Sequence, residues 1–189
     1  MPLLDITVEV KREKWEEIFT NEKMTSLGHL GTHFDGMNTI FDLSNCIRPG
    51  ANFDVTAVSG RDIETSDIAS SYNVREGAFV IFYTGFLGNE GYGTKRYFTE
   101  HPQLSQSLIQ FLLQKHVAMI GIDAAGIRRG TEHTPTDQMC ADKGVFVVEN
   151  LANLDKLNTT AAGKNFTVFT FPVKFEGMSG QPCRVVAEI

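Results

Sequence analysis

The chain is short of cysteine, has no basic cluster and has no long apolar run, and each shortage narrows what it can be. Its three cysteines, Cys46, Cys140 and Cys183, are far apart and odd in number. They form no Cys-x-x-Cys pair and read as reduced cytosolic thiols that serve as packing residues. Seventeen basic residues against 23 acidic ones give a net charge of −6. With no basic cluster among them, nucleic acid is a poor candidate partner. No apolar run approaches the roughly 18 residues that mark a membrane span, so no membrane partner is expected. The first residues, Met1-Pro2-Leu3-Leu4-Asp5, lack the basic-then-apolar pattern of a signal peptide, and the expected location is cytoplasmic. There is no charge-rich tract, no low-complexity segment and no internal repeat. Hydrophobic residues make up 42% of the 189 positions, so an ordered chain is expected. That length suits one domain, residues 1–189, with a proper core.

What the chain does have is strand and helix patterns in alternation. Residues 3–10 alternate, with Ile6, Val8 and Val10 on one face, and predict an opening strand. Residues 11–19 are charged, with Trp15 and Ile18 at helical spacing. Residues 41–50 look like a turn-rich connection with Pro49-Gly50 as a breaker. A strand is expected over 53–58 and a short helix over 63–70. The continuous apolar run at 78–84 marks a strand buried on both faces. Residues 85–94 hold four glycines and read as a loop, without the Lys-Ser/Thr ending of a phosphate cradle. A helix is expected over 102–115, with Pro102 in its first turn and Leu104, Leu108, Phe111 and Leu112 on its inner stripe. Residues 117–123 read as another buried strand. Thr134-Pro135-Thr136-Asp137 reads as a helix start with Thr134 as the cap. A strand at 145–148 ends at Glu149, a short helix follows at 151–157, and strands at 166–173 and 184–189 close the chain. This interleaving predicts an α/β fold, or α+β with a mixed sheet.

The chemistry is concentrated in Gly28-His29-Leu30-Gly31-Thr32-His33-Phe34-Asp35. Two imidazoles and a carboxylate within seven residues suit a borderline divalent ion such as zinc or manganese. In an extended segment residues 29, 31, 33 and 35 share a face. In a helix His29 and His33 meet at i, i+4, although Gly31-Thr32 argues against a regular helix. Asp35 also suits a turn before Gly36. Glu149, at a strand end, either faces a site at the carboxyl edge of the sheet or emerges into solvent. Asp137 either ligates an ion or interacts with Thr134 at a helix start.

Four features in register resemble one family. They are His29-Leu30-Gly31-Thr32-His33-Phe34-Asp35, Gly121-Ile122-Asp123, Glu149-Asn150-Leu151-Ala152-Asn153-Leu154-Asp155, and the stretch from Pro172 to Gly177 continued by Gly180-Gln181-Pro182-Cys183-Arg184. The chain resembles the metal-dependent cyclase-like hydrolases, the group that includes bacterial kynurenine formamidase and isatin hydrolase. The resemblance implies a compact swivelling β/β/α domain and a homodimer or higher homo-oligomer. It also implies zinc or manganese as cofactor and hydrolysis of an amide in a small formamide or cyclic amide substrate. The family motif His-x-Gly-Thr-His-x-Asp-x-Pro-x-His places metal ligands on His29, His33 and Asp35, and the family's later glutamate falls on Glu149. Two positions depart. Met37 and Thr39 stand where the motif has Pro and His, that histidine being the usual acid/base. Asp137 stands where two-metal members have a further histidine.

The expected metal ligands are therefore His29, His33, Asp35, Glu149 and Asp137, with Asp35 and Glu149 also in catalytic roles. His133 and His101 are candidates to replace the missing proton shuttle, because Thr39 can donate a hydrogen bond but cannot act as a base near neutral pH. The rival expectation is a small-molecule or metal-binding protein without turnover.

Overall fold

A computed structural model describes residues 2–11, 20, 27–37, 39–68, 74–162 and 164–189. Its strands are β1 (Leu3–Asp5), β2 (His33–Asp35), β3 (Ile47–Asp54), β4 (Phe79–Tyr83), β5 (Met119–Ile122), β6 (Phe146–Glu149), β7 (Phe166–Pro172) and β8 (Gly180–Glu188). Seven of them close into a barrel in the order β2-β6-β5-β4-β3-β7-β8, because β8 pairs with both β7 and β2, and β1 pairs with β8 alone. Strands β3 to β6 run parallel while β2, β7 and β8 join antiparallel. The fold is thus α+β with a mixed sheet, as expected. Helices α1 (Thr65–Ile68), α2 (Phe86–Glu90), α3 (Lys95–Thr99), α4 (Gln106–Gln114), α5 (His133–Ala141) and α6 (Leu154–Thr160) accompany the barrel. Among the described residues no helix is long and apolar enough to cross a membrane.

Adjacent residues of the parallel strands enter different cores, which is why these strands read as unbroken apolar runs. Phe79 and Ile81 of β4 pack inside the ring with Phe34, Phe146 and Val168. Val80 and Phe82 pack outside it with Leu108 and Leu112 of α4 and Cys140 of α5. The barrel interior is tight enough to require Gly121, where a Cβ would stand 2.6 Å from both Leu151 and Phe79.

Several elements differ from their sequence pattern, each for a physical reason. The opening strand stops at Asp5, because beyond it the chain turns to hold the site segment, Val8 N–H donating to Thr32 Oγ1 at 2.8 Å. The helix expected over 11–19 falls on 12–19, outside the described residues. Pro49-Gly50 lies within β3 instead of breaking the chain. At Pro49 only β7 is a neighbour, since pairing with β4 begins at Gly50, so the missing N–H costs no second ladder. Gly50 has no Cβ because one would sit 2.0 Å from the Phe166 ring. The glycine loop contains α2, with Gly85 (φ 75°) and Gly91 (φ 76°) as its two ends. α4 begins at Gln106, capped by Ser105 Oγ, which accepts from Leu108 N–H at 3.1 Å; residue 104 is held extended by its bridge to Ile63. α5 begins at His133, led in by a 3₁₀ turn over Gly130–Glu132, so Thr134 is not its cap. Asp137 is consequently in the second turn and faces inward, buried, rather than capping the start.

Candidate metal centre

The site is built on two antiparallel strands. In the β2–β6 pairing His33 lies directly opposite Glu149, and Asp35 opposite Val147. Side chains alternate along a strand, so His33, Asp35 and Glu149 share the outer face of the barrel while Phe34 enters its interior. α5 covers that face and adds His133 and Asp137, one turn apart. The extended reading of the histidine segment is the one observed. His29 approaches from the loop before β2, its ring centroid 5.0 Å from that of His33.

The distances are short, and the carboxylates and His33 are buried. His29 Nδ1 is 3.5 Å from Asp35 Oδ1, and His33 Nε2 is 3.8 Å from the same oxygen and 3.5 Å from Glu149 Oε2. His133 Nε2 is 3.2 Å from Asp137 Oδ2 and 3.1 Å from Glu149 Oε1. His33, Asp35, Asp137 and Glu149 are each at most 3% exposed. The potential ligand atoms form two groups, His29–His33–Asp35 and Asp35–His133–Asp137–Glu149, each with all its atoms within 4.8 Å of one another.

Whether these residues suit a cation is decided by their unmet hydrogen-bonding capacity. Buried polar atoms are nearly always paired, yet His33 Nε2, both oxygens of Asp35 and Asp137 Oδ1 have no hydrogen-bond partner. Four such atoms converging on one place beside Glu149 fit a divalent ion with nitrogen and oxygen donors. The tautomer fits as well. His33 Nδ1–H donates to Gly31 O at 2.9 Å, which leaves the Nε2 lone pair facing the cluster. The titration of the groups follows from crowding. Burial, then the neighbouring His33, pushes the His29 imidazole down to about 4, so it is neutral at pH 7. Burial, then Glu149 and Asp137, holds the Asp35 carboxyl well above its usual range. Burial likewise raises Asp137 to about 8. Against the opposing effect of burial, His133 with its carboxylate neighbours is raised to about 9, and Glu149 is lowered to about 2 by its three imidazoles. Carboxyls forced to keep protons here would be ionised by a cation.

All five expected ligands, His29, His33, Asp35, Glu149 and Asp137, are brought together, and His133 joins them. His101 is buried with Nδ1–H donating to Pro102 O at 2.9 Å, and belongs to neither group. Thr39 closes the turn after β2, its N–H on Gly36 O at 2.6 Å.

Sequence reasoning missed the supporting shell. Asn150 (φ 59°) donates from Nδ2 to Gly31 O at 2.8 Å and accepts on Oδ1 from Tyr97 O–H at 2.8 Å. Thr32 Oγ1–H donates to Asn150 O at 2.7 Å, and Gly31 N–H donates to Tyr92 Oη at 2.9 Å. Ser179 Oγ shares a hydrogen bond with His29 Nε2 at 2.9 Å. The position of Asn150 beside Glu149 was the available signal. Ser179 offered none, being 150 residues from its partner. A cleft of about 900 Å³ lies elsewhere, bordered by Gly50, Asn52, Asn158 and Phe166, and shares no residue with the cluster.

A closed mixed barrel carrying a buried imidazole–carboxylate cluster on its outer face is one class of architecture, and comparison with known proteins shows which family it represents. The Cyclase family model matches residues 4–128. The chain belongs to the Cyclase family. Among solved structures, one described as a potential metal-dependent hydrolase with cyclase activity is 24% identical, with 98% of this chain and 96% of that chain covered and a TM-score of 0.73. A predicted metal-dependent hydrolase from Bacillus stearothermophilus is 22% identical, covering 98% and 97%, with a TM-score of 0.70. An isatin hydrolase bound to the product analogue thioisatinate is 22% identical over 85% of this chain and 72% of that one, with a TM-score of 0.71. These likenesses are of fold. A search of curated proteins finds no match.

Proposed function

We propose that the chain is a metal-dependent hydrolase that cleaves the C–N bond of a small formamide or cyclic amide, in the manner of an arylformamidase, using zinc or manganese. The observation that carries this reading is the set of buried, unpartnered ligand atoms on His33 and Asp35 beside His29 and Glu149. The family membership and the isatin hydrolase of similar fold agree with it. A divalent ion would supply Lewis-acid activation of water and of a carbonyl oxygen. His29, His33 and Asp35 would hold it. The His33 lone pair is aimed by Gly31 O and the His29 ring by Ser179. Glu149, opposite His33 in the ladder, would either complete the coordination or orient the attacking water. Burial of the carboxylates excludes competing water.

Thr39 supports a second reading. It occupies the position of the motif histidine and has no acid/base chemistry near neutral pH. Loss of a positioned acid or base costs about 10² to 10⁴ in rate, so a chain without that histidine favours easy leaving groups, or binds without turnover. The experiment is an assay of protein reconstituted with zinc or with manganese against aryl formamides, isatin-type lactams and lactones. Metal-dependent turnover that His33→Ala abolishes is expected. A metal-loaded protein inert to the whole panel, yet stabilised by one of its members, would replace the hydrolase by the binding protein.

A further inference from the structure

We infer that Tyr92 is a substrate-binding residue of this site: its hydroxyl, fixed on Gly31 between the two histidines of the ligand segment, offers its proton as a neutral hydrogen bond to the oxygen that gains negative charge when an amide carbonyl is attacked. Tyr92 Oη accepts from Gly31 N–H at 2.9 Å. A hydroxyl has one proton and two lone pairs, so this bond occupies a lone pair and leaves the proton free. Among the described residues no acceptor takes that proton. The other hydroxyls of the shell are engaged differently. Thr32 Oγ1–H donates to Asn150 O and Tyr97 O–H to Asn150 Oδ1. Ser179 Oγ lies at His29 Nε2, the edge of that ring away from Nδ1 and Asp35. Of these hydroxyls Tyr92 is the one whose proton is neither donated within the shell nor placed behind a ligand ring.

The local sequence fixes the hydroxyl in place. Tyr92 stands between Gly91 (φ 76°) and Gly93 (φ 88°), whose left-handed backbone carries the chain from α2 to α3 in four residues. Its ring meets the rings of Tyr97 and Phe98 edge-on, with centroids 5.8 and 6.2 Å away. Tyr97 is tied to Asn150, so the Tyr92 ring is braced by the same shell that orients His33. A donor held in position before charge develops is the kind that stabilises a transition state most. The cluster is reached from solvent along His29 and His133, whose side chains are 30% and 29% exposed, while Asp35 and Glu149 are buried. Tyr92 is half-buried, on the histidine segment that borders this approach. Burial raises its phenol above the ordinary range; the Gly31 N–H opposes that rise and the charge of Glu149 adds to it. The donor is thus the neutral hydroxyl, and its proton stays on oxygen throughout. Tyr92 therefore stabilises the attacked carbonyl without taking over the acid/base work of the missing motif histidine.

This inference rests on the proposed function, and a readout other than turnover separates the two. Full-length zinc-loaded protein and its Tyr92→Phe variant, which keeps the ring and loses the hydroxyl, are compared by circular dichroism, zinc affinity, calorimetric binding of phenylphosphonate as a tetrahedral oxyanion, and turnover of an aryl formamide. Tyr92→Phe is expected to fold and hold zinc like the native protein. It should bind phenylphosphonate about 10- to 100-fold more weakly, the effect of losing a hydrogen bond to a charged group, and its kcat should fall about 10²- to 10³-fold with KM little changed. In native protein carrying [13Cζ]tyrosine, phenylphosphonate should also shift the Tyr92 resonance, a test that needs no folded variant. Phosphonate binding that depends on Tyr92 in a protein without turnover overturns the hydrolase reading and leaves the inference standing. Turnover and phosphonate binding unchanged in Tyr92→Phe overturn the inference and leave the hydrolase standing. Zinc affinity lost in parallel with phosphonate binding overturns it too, since the hydroxyl then only holds the ligand segment. A Tyr92 resonance that does not move, or a zinc-loaded native protein that does not bind phenylphosphonate, likewise overturns it.

Discussion

Replacing Asn150 by alanine tests whether the shell behind His33 sets its affinity for a cation. Asn150 is buried, and its side chain ties Tyr97 O–H to Gly31 O, the same carbonyl that fixes His33 Nδ1–H. Alanine leaves Gly31 O with His33 alone and leaves the buried Tyr97 hydroxyl without its acceptor, a loss worth about 1–3 kcal/mol. Alanine must also adopt the left-handed φ of 59°, which asparagine tolerates, at a further cost of roughly 1–2 kcal/mol. The apo protein should lose about 2–5 kcal/mol of stability. Without Asn150 the Gly31 carbonyl that orients the imidazole is held less firmly, and outer-shell losses of this kind lower metal affinity about 10- to 100-fold. Urea unfolding in chelator measures the first effect, and competition with a chromophoric chelator measures the second. Tyr97→Phe removes only the hydroxyl and keeps the Asn150–Gly31 bond, so it should destabilise without a comparable loss of affinity. A folded Asn150→Ala variant that binds metal as tightly as the native protein would refute the reasoning.

Three further outcomes follow from the same geometry. Gly50→Ala should destabilise by about 3 kcal/mol or more, since its Cβ would overlap the Phe166 ring, whereas Gly88→Ala, in α2 with no atom within 4 Å, should be neutral or stabilising by up to about 1 kcal/mol; thermal unfolding distinguishes them. Asp123, raised to about 6 chiefly by burial, binds its proton more tightly folded than unfolded, so stability should fall as pH rises from about 4 to 6 by about 3 kcal/mol and then level off; Asp123→Asn should lack that segment of the urea-derived profile. Metal at 100 times its dissociation constant should raise stability by about 2.7 kcal/mol over chelated protein, and His33→Ala should abolish the difference in unfolding midpoint.

The parts of the site that were legible in the sequence are those written locally. His29, His33 and Asp35 lie within seven residues, and alternation along an extended segment suffices to put two of them on one face. The apolar runs of β4, β5 and β6 likewise announce strands buried on both sides. What stayed hidden depends on register and on contacts between distant segments. Glu149 meets His33 only because β2 pairs with β6 in one register. Asp137 could be read either as a ligand or as a partner of Thr134, because Thr134-Pro135 imitates a helix start; the 3₁₀ turn before it moves the start to His133 and turns Asp137 inward. Pro49-Gly50 looked like a breaker because the pattern does not record that β3 has a single neighbour at Pro49, or that Phe166 fills the space a Gly50 side chain would need.

The central claim is that His29, His33 and Asp35 hold a divalent ion. An anomalous difference map from a zinc-soaked crystal, recorded at the zinc edge, tests it most directly. The account predicts a peak bounded by His29 Nδ1, His33 Nε2 and the Asp35 carboxylate. A zinc-soaked crystal with no peak there, or with zinc held only on other residues, would contradict it.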